Sequence, residues 1–470
     1  MYKKEFIFIK ELKKFKIFQI ISMKSKYARL ILLISFSILF NACAIFYPNR
    51  SSTFIKVDGT HFELNKKYYY FEGANFWYGC YLGAADSVGN RKRLIRELDR
   101  LKSIGITNLR ILGASENSYI EHTLKPAIQS KPEIYDEDIL EGLDFLLSEM
   151  HKRNMHAVIF LNNYWEWSGG MVVYNSWSGG PKINPYDSDY TWEDFMNYSS
   201  SFYRNEKAKE IYYHYIYKLI TRKNIFTGNY YYEDPTIMAW QLANEPRPGS
   251  LIKGGKWLEE YYRWINATAE FIHTLDPNHL ISTGSEGIIG SLYSSNIYLA
   301  ANNFKNINYL TFHLWPKNWD WLNPKKISET YSIAIDSSIN YINENLMDAQ
   351  KLNKPIVLEE FGFPRDNELL GPGTSTTERD KFYRKILQIV YELAIGGNPI
   401  AGTNFWAWAG EGRNQNRDHY WKPGDLLTGD PPHEPQGYNS VFDTDSSTIF
   451  ILKEFAEKMN RLNVSKSNLK

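Results

Sequence analysis

Two short stretches, Asn244-Glu245-Pro246 and Glu359-Glu360-Phe361-Gly362, place glutamates where runs of apolar, β-forming residues end. Arg110, His313 and Trp406 stand at the ends of other such runs. Carboxyl groups converging from two strands are the equipment for cleaving an acetal. One protonates the departing oxygen while the other compensates charge on the sugar ring from the opposite face. Taken singly, an acidic residue is more often a salt-bridge partner and a lone Trp more often core packing; their shared position at strand ends points instead to glycosidic chemistry. The ten histidines show no metal-ligand spacing and there is no Gly-rich phosphate loop, so this reading requires no metal and no cofactor.

Eight segments read as the strands that must position these groups: Tyr68–Asn75, Asn108–Leu112, His156–Asn162, Ile237–Leu242, Leu280–Gly284, Tyr309–His313, Ile356–Glu360 and Gly402–Trp406. Amphipathic helices lie between them. Leu94, Ile95, Leu98, Leu101 and Ile104 share one face and end at Gly105, and Ile139, Leu140, Leu143, Leu146, Leu147 and Met150 repeat the pattern. Parallel strands alternating with helices imply a (β/α)8 TIM barrel, whose active site lies at the C-terminal ends of the strands. No repeat, linker or second composition regime follows residue 55, so a single catalytic domain is expected over residues 56–465.

The chain of 470 residues carries 54 basic and 53 acidic side chains, a balance that argues against nucleic acid as a partner. Aromatics reach 16%, with 14 Trp and 34 Tyr, and rings with polar tips suit a ligand rich in hydroxyls and C–H faces. Leu30–Phe40 is an apolar run preceded by Lys24, Lys26 and Arg29, too short for a comfortable membrane span and typical of a signal-peptide core. It ends at Asn41-Ala42-Cys43, which resembles a bacterial lipoprotein cleavage site; the alternative is an ordinary signal peptide with a stray Cys. The expectation is a signal peptide over residues 1–43, lipidation of Cys43, a tether over 44–55, and a membrane-anchored protein of the bacterial cell envelope, as an outer-membrane lipoprotein. Met1–Ser22 precede a signal already complete without them, making Met23 a candidate start. Cys80, the other cysteine, has no basic neighbour in sequence and reads as structural.

Ala243-Asn244-Glu245-Pro246 and Leu358-Glu359-Glu360-Phe361-Gly362 resemble the acid/base and nucleophile motifs of glycoside hydrolase family 5, retaining barrel enzymes with catalytic glutamates on strands four and seven. The resemblance covers roughly residues 55–460. It implies Glu245 as acid/base and Glu360 as nucleophile. Strand alternation then turns Glu359 toward the helical layer. Carried over residue by residue, the resemblance implies that Arg110 keeps Glu360 ionised, Asn244 bonds the sugar 2-hydroxyl, His313 orients a hydroxyl or the acid/base, and Trp406 lies beneath the sugar. Trp315 departs from the family's usual Tyr, which donates to the nucleophile; an indole N–H can donate but not accept.

His313-Leu-Trp-Pro-Lys-Asn-Trp319, Asn162-Asn-Tyr-Trp-Glu-Trp-Ser-Gly-Gly170, Gly73-Ala-Asn-Phe-Trp-Tyr78 and Thr283-Gly-Ser-Glu-Gly287 are similar to loops of the mannanase branch. Trp77, Trp165, Trp167 and Trp319 are therefore expected along an open cleft, with packing of its own loop as the alternative for each. Glu286 is expected to meet the axial 2-hydroxyl of mannose or to pair with Arg110. The implied activity is that of a retaining endo-β-1,4-mannanase acting on mannan, glucomannan or galactomannan. The alternatives are a β-1,4-glucanase or other glycosidase on this scaffold and a non-catalytic surface glycan-binding protein.

Overall fold

The computed structural model describes residues 54–464; the signal segment 1–43 with Cys43 and Met23, and nearly all of the tether, lie outside the described residues. Eight strands form the central sheet: β1 Phe71–Asn75, β2 Asn108–Leu112, β3 His156–Phe160, β4 Ile237–Gln241, β5 Leu280–Ser282, β6 Leu310–Leu314, β7 Ile356–Phe361 and β8 Ile400–Phe405. Neighbours pair in parallel in the order β5, β4, β3, β2, β1, β8, β7, β6. The ring closes between β5 and β6, where the Asn308 amide donates to the Ile281 carbonyl (2.8 Å) and the Ile281 amide donates to Asn308 Oδ1 (2.7 Å). This is the (β/α)8 barrel expected from the alternation of elements.

The principal outer helices are α1 Arg91–Ser103, α2 Glu137–Lys152, α3 Glu206–Ile220, α4 Leu258–Leu275, α5 Ser295–Asn302, α6 Ile327–Leu352, α7 Thr377–Ile395 and α8 Ser446–Arg461. Local chemistry fixes their ends. Asn90 caps α1 by accepting from the Arg93 amide, and Asp136 caps α2 by accepting from the amides of Asp138 and Ile139. The Leu94, Leu98 and Leu101 stripe of α1 is buried, and Gly105, at φ +86°, provides the left-handed turn just past its end.

The first strand starts later than its sequence pattern suggests. The Tyr69 amide donates to the Phe62 carbonyl and the Tyr70 amide to Asn463 Oδ1, so both residues serve neighbours outside the barrel sheet. Lys56–Asp58 and His61–Leu64 form an antiparallel hairpin at the N-terminal end of the barrel. There Ile55 and Phe62 pack with Val158, Val357 and Ala401, so an apolar plug fills that end and the polar residues gather at the other.

Strand alternation fails at one place that matters. Phe312 pairs with Leu358 but His313 pairs with Glu360, and the β7–β8 register also slips between Leu358 and Phe361. The extra residue is Glu359, and such a bulge re-aims side chains. Contrary to the alternation argument, Glu359 turns into the barrel: its two oxygens accept from Gln241 Nε2 at 2.6 and 2.7 Å, and one lies 3.5 Å from Arg110 Nε.

Close backbone contact supports the rim next to β1. The short helix Gly79–Gly83 lies on α2, where a Cβ added to Gly142 would sit 2.1 Å from the Cys80 carbonyl oxygen and 2.5 Å from the Ala84 nitrogen. Neither atom belongs to a side chain that can swing aside. Gly142→Ala is expected to destabilise the protein by about 1–3 kcal/mol, the range for overpacking. Urea unfolding would read this as a lower midpoint at unchanged slope.

Candidate active site

Glu245 and Glu360 face each other across the C-terminal mouth of the barrel. Glu245 lies just beyond β4 and Glu360 within β7. One oxygen of each, with a ring nitrogen of His313, lies within 4.8 Å of the others. Glu245 adopts φ +48°, a left-handed conformation uncommon in a residue bearing a Cβ. Both of its oxygens are engaged. Oε1 is 2.6 Å from His313 Nδ1, and Oε2 accepts from Trp165 Nε1 at 2.5 Å. The same His313 Nδ1 is 3.3 Å from Glu360 Oε2, so the imidazole bridges the two carboxyl groups.

Arg110, on β2, lies beneath them without solvent exposure. Its Nη1 donates to Glu360 Oε1 and, at 3.3 Å, to Asn75 Oδ1; its Nη2 donates to Asn244 Oδ1 at 2.7 Å, and its Nε to Gln241 Oε1 at 2.9 Å. The guanidinium also lies over the Phe160 ring, 4.8 Å from its centroid. Asn244 Nδ2 donates one hydrogen to Asn163 Oδ1 (3.1 Å), which leaves the second for a ligand.

Burial and neighbouring charge compete at each group. Burial pushes Glu360 up, to about 7, and repulsion from Glu245 and Glu359 adds to it against the pull of His313 and Arg110. Glu245 is buried too, yet the hydrogen bond and charge of His313, with Arg247 and Trp165, outweigh burial and hold it down at about 2. Burial would lower His313, but Glu360 and Glu245 raise it to about 10. Four carboxyl groups, Glu245, Glu286, Glu359 and Glu360, thus face three cationic groups, Arg110, Arg247 and protonated His313. Glu245, Glu286, Glu360 and His313 hold their protons in common near neutral pH and titrate together. The cluster's donor spacing would admit a cation, but Arg110 and the imidazolium already supply positive charge at that spot.

Above the carboxyl groups is a cavity of about 800 Å³ whose wall includes Trp165, Trp167, Trp315, Trp319 and Trp406. Trp406, joined to Ala407 by a cis peptide bond, is the aromatic residue contributed from the end of β8. Trp315 meets it edge to face at 6.0 Å and makes no hydrogen bond to Glu360, so the donor expected in place of the usual Tyr is absent. Trp77 is a correction. It is fully buried, its Nε1 donates to the Gly429 carbonyl at 2.8 Å, and its ring packs on Tyr78 and Trp167 without reaching the cavity. Of the two partners considered for Glu286, Arg110 is excluded, because Glu286 pairs with Arg247 while facing the cavity.

Several groups in the wall were not foreseen. Arg247 lies over the Trp165 ring at 4.9 Å, and its place two residues after Glu245 was a usable signal. His433 and Glu434 come from the long segment after β8, where no periodicity marks individual positions. His433 Nδ1 and Glu434 Oε2 are buried without a hydrogen-bond partner, and burial followed by repulsion from Asp430 raises Glu434 to about 8. Polar atoms left unpaired in the wall of a cavity are suited to ligand hydroxyls.

Residues 52–464 match the family described as GH family 5 beta-mannosidase-like. A mannan endo-1,4-beta-mannosidase 4 from Solanum lycopersicum is 28% identical over 407 residues, covering 82% of this chain and 93% of that relative. The crystal structure of a glycoside hydrolase family 5 mannosidase from Rhizomucor miehei superposes with a TM-score of 0.80 at 33% identity, over 88% of this chain and 99% of that one. A mutant of the Rhizomucor protein, solved in complex with mannosyl-fructose, gives the same TM-score at 34% identity over 88% and 100% of the two chains. With the family match running through the whole barrel, including both strand ends that carry the facing glutamates, the chain belongs to the beta-mannosidase-like group of glycoside hydrolase family 5 and is a glycoside hydrolase.

Proposed function

We propose that this protein hydrolyses β-1,4-mannosidic bonds in mannan, glucomannan or galactomannan by double displacement, with Glu360 as nucleophile and Glu245 as acid/base. The observation that carries this reading is the convergence of the two glutamates, within 4.8 Å, beneath a tryptophan-lined cavity. Retaining pairs stand about 5–5.5 Å apart and inverting pairs about 6.5–9.5 Å, because only the latter leave room for water between them. The names of the relatives and the mannosyl-fructose bound by a structural neighbour support mannose as the sugar.

A mannosyl unit over Trp406 would present its anomeric carbon to Glu360 and its 2-hydroxyl to the free N–H of Asn244. The proton for the departing oxygen is stored on the His313–Glu245 pair. A shift along their 2.6 Å hydrogen bond converts imidazolium and carboxylate into imidazole and carboxylic acid. Glu360 then attacks, a covalent glycosyl-enzyme forms, and Glu245 as base activates the water that releases the sugar with its β configuration kept.

Hydrolysis of mannan and cellulose measured side by side is expected to favour mannan, with β products seen first by NMR. Preference for cellulose would replace mannan with a glucan as substrate, and inverted products would refute the mechanism. Glu360→Gln should lose turnover on every substrate. Glu245→Gln should still accumulate a covalent intermediate from a substrate with a good leaving group, and azide should rescue it to a β-glycosyl azide. Activity retained in Glu360→Gln but lost in Glu359→Gln would move the nucleophile by one residue.

Acidity offers a second test. Glu360 must be ionised to attack, so kcat/KM falls as pH drops through its pKa, which burial and neighbouring carboxylates place near 7. Burial raises Glu286 to about 7 as well, so it carries part of a negative charge over this range, and Glu286→Gln removes that charge and favours ionised Glu360. The acid limb of the kcat/KM profile should move to lower pH by about one pH unit. A move to higher pH would contradict this account.

For location, the lipoprotein-like Asn41-Ala42-Cys43 leads us to infer that Cys43 carries a lipid holding the enzyme at the bacterial envelope, with the outer membrane as its site. Cys43→Ala is expected to shift activity from the membrane fraction to the soluble one, and unchanged fractionation would reject lipidation.

A further inference from the structure

Resting on the mannan-hydrolase reading, we propose that Tyr293 is an aromatic platform for the leaving-group part of the substrate, one sugar beyond the unit bonded to the reacting one. β4, which leads to Glu245, lies four strands round the ring from β8, which carries Trp406 on the sugar-retaining side. Glu245 protonates the departing oxygen, so the departing chain passes the end of β4, whose neighbours in the ring are β3 and β5. Tyr293 follows β5, and with Leu251 and Leu292 it forms the edge of the cavity there.

Its conformation is the second observation. Leu292 and Tyr293 are consecutive residues at φ +56°, although a left-handed backbone is unfavourable for any L residue with a Cβ and an outlier for bulky ones. Packing accounts for Leu292 alone. Its side chain fills the space over Gly254, where an added Cβ would come within 2.6 Å of Leu292 Cδ2. Tyr293 has no such return. It is 58% exposed, and among the described residues its ring makes no aromatic contact and its hydroxyl no hydrogen bond. Strained, bulky residues that gain nothing from their own fold cluster where a ligand supplies the contact.

The surroundings suit a pyranose. The exposed ring, in a cavity wall that also includes Leu251 at 61% exposure, offers a flat apolar surface for the C–H face of a sugar. The cavity wall shared by Tyr293 and Glu245 also includes the Arg247–Glu286 ion pair, and Arg247 Nε is a buried N–H that no protein atom accepts. That pair would take the hydroxyls of the unit next to the scissile bond, leaving the ring to stack on the following one.

The test compares wild type with Tyr293→Phe, Tyr293→Ala and Tyr293→Gly on 4-nitrophenyl β-mannoside, whose leaving group spans a single position, and on mannopentaose. Tyr293→Ala and Tyr293→Gly should lose about tenfold in kcat/KM on mannopentaose, the worth of one aromatic stacking contact, and stay within about twofold of wild type on the aryl mannoside. Tyr293→Phe should match wild type on both. Because glycine relieves the left-handed strain, Tyr293→Gly should melt at or above the wild-type temperature. Equal losses on the two substrates, no loss on mannopentaose, a Phe variant as impaired as Ala, or a Gly variant that melts lower would each overturn the platform. A wild-type protein inactive on both mannosides would instead refute the hydrolase reading, and this inference with it.

Discussion

The guanidinium of Arg110 lies inside the barrel, cut off from water, and is held by groups from β1, β4, β7 and the segment just past β4. An unpaired charge at that depth would cost several kcal/mol, so the cation requires a carboxylate beside it and fixed dipoles around it. Glu360 meets the first demand; Asn75, Asn244 and Gln241 meet the second. In doing so they become a single rigid lattice. Gln241 passes the constraint to Glu359, Asn244 passes it to Asn163, and Asn75 Nδ2 reaches the Glu359 carbonyl at 2.9 Å. The position of the proposed nucleophile is therefore set by charge balance as much as by strand geometry.

This constraint also explains the bulge in β7. Regular alternation would let only one of Glu359 and Glu360 face inward. The slip in register turns both toward Arg110, one from below and one at the mouth. The second buried carboxylate raises the affinity of the mouth for a proton. That is useful in a site that must both donate one and keep a charged nucleophile. A barrel with Glu359 in the helical layer would lack that effect.

What was legible from residues alone follows the same division. β2 is legible at its observed limits, and the other strands to within a few residues, because strands this deeply buried read as apolar runs. Glu245, Glu360, Arg110, Asn244, His313 and Trp406 were found together because the fold confines candidates to strand ends. Backbone irregularity was not legible. Neither the bulge at Glu359 nor the left-handed turns at Glu245 and Leu292-Tyr293 has a glycine to announce it. Loop side chains such as His433 and Glu434 were hidden for another reason: their positions depend on contacts across the mouth rather than on any local period.

The aromatic content tells a more qualified story than composition suggested. Many of the tyrosines do not await a sugar, because their hydroxyls donate to backbone carbonyls at and just past the strand ends. Tyr212 serves Leu242 at 2.5 Å, Tyr261 serves Pro246 at 3.1 Å and Tyr203 serves Arg247 at 2.8 Å. Tyr341 does the same for Glu286 at 2.7 Å and Tyr383 for Trp406 at 3.2 Å. Segments leaving a sheet lose their ladder partners just where an active site needs them to be still, and a buried carbonyl without a donor is costly. A phenol solves both problems, since its ring fills the helical layer while its hydroxyl reaches the strand end. The abundance of Tyr thus reflects the demand for firm loops around the glutamates, whereas Tyr293 satisfies no backbone group and turns an exposed ring to the edge of the cavity.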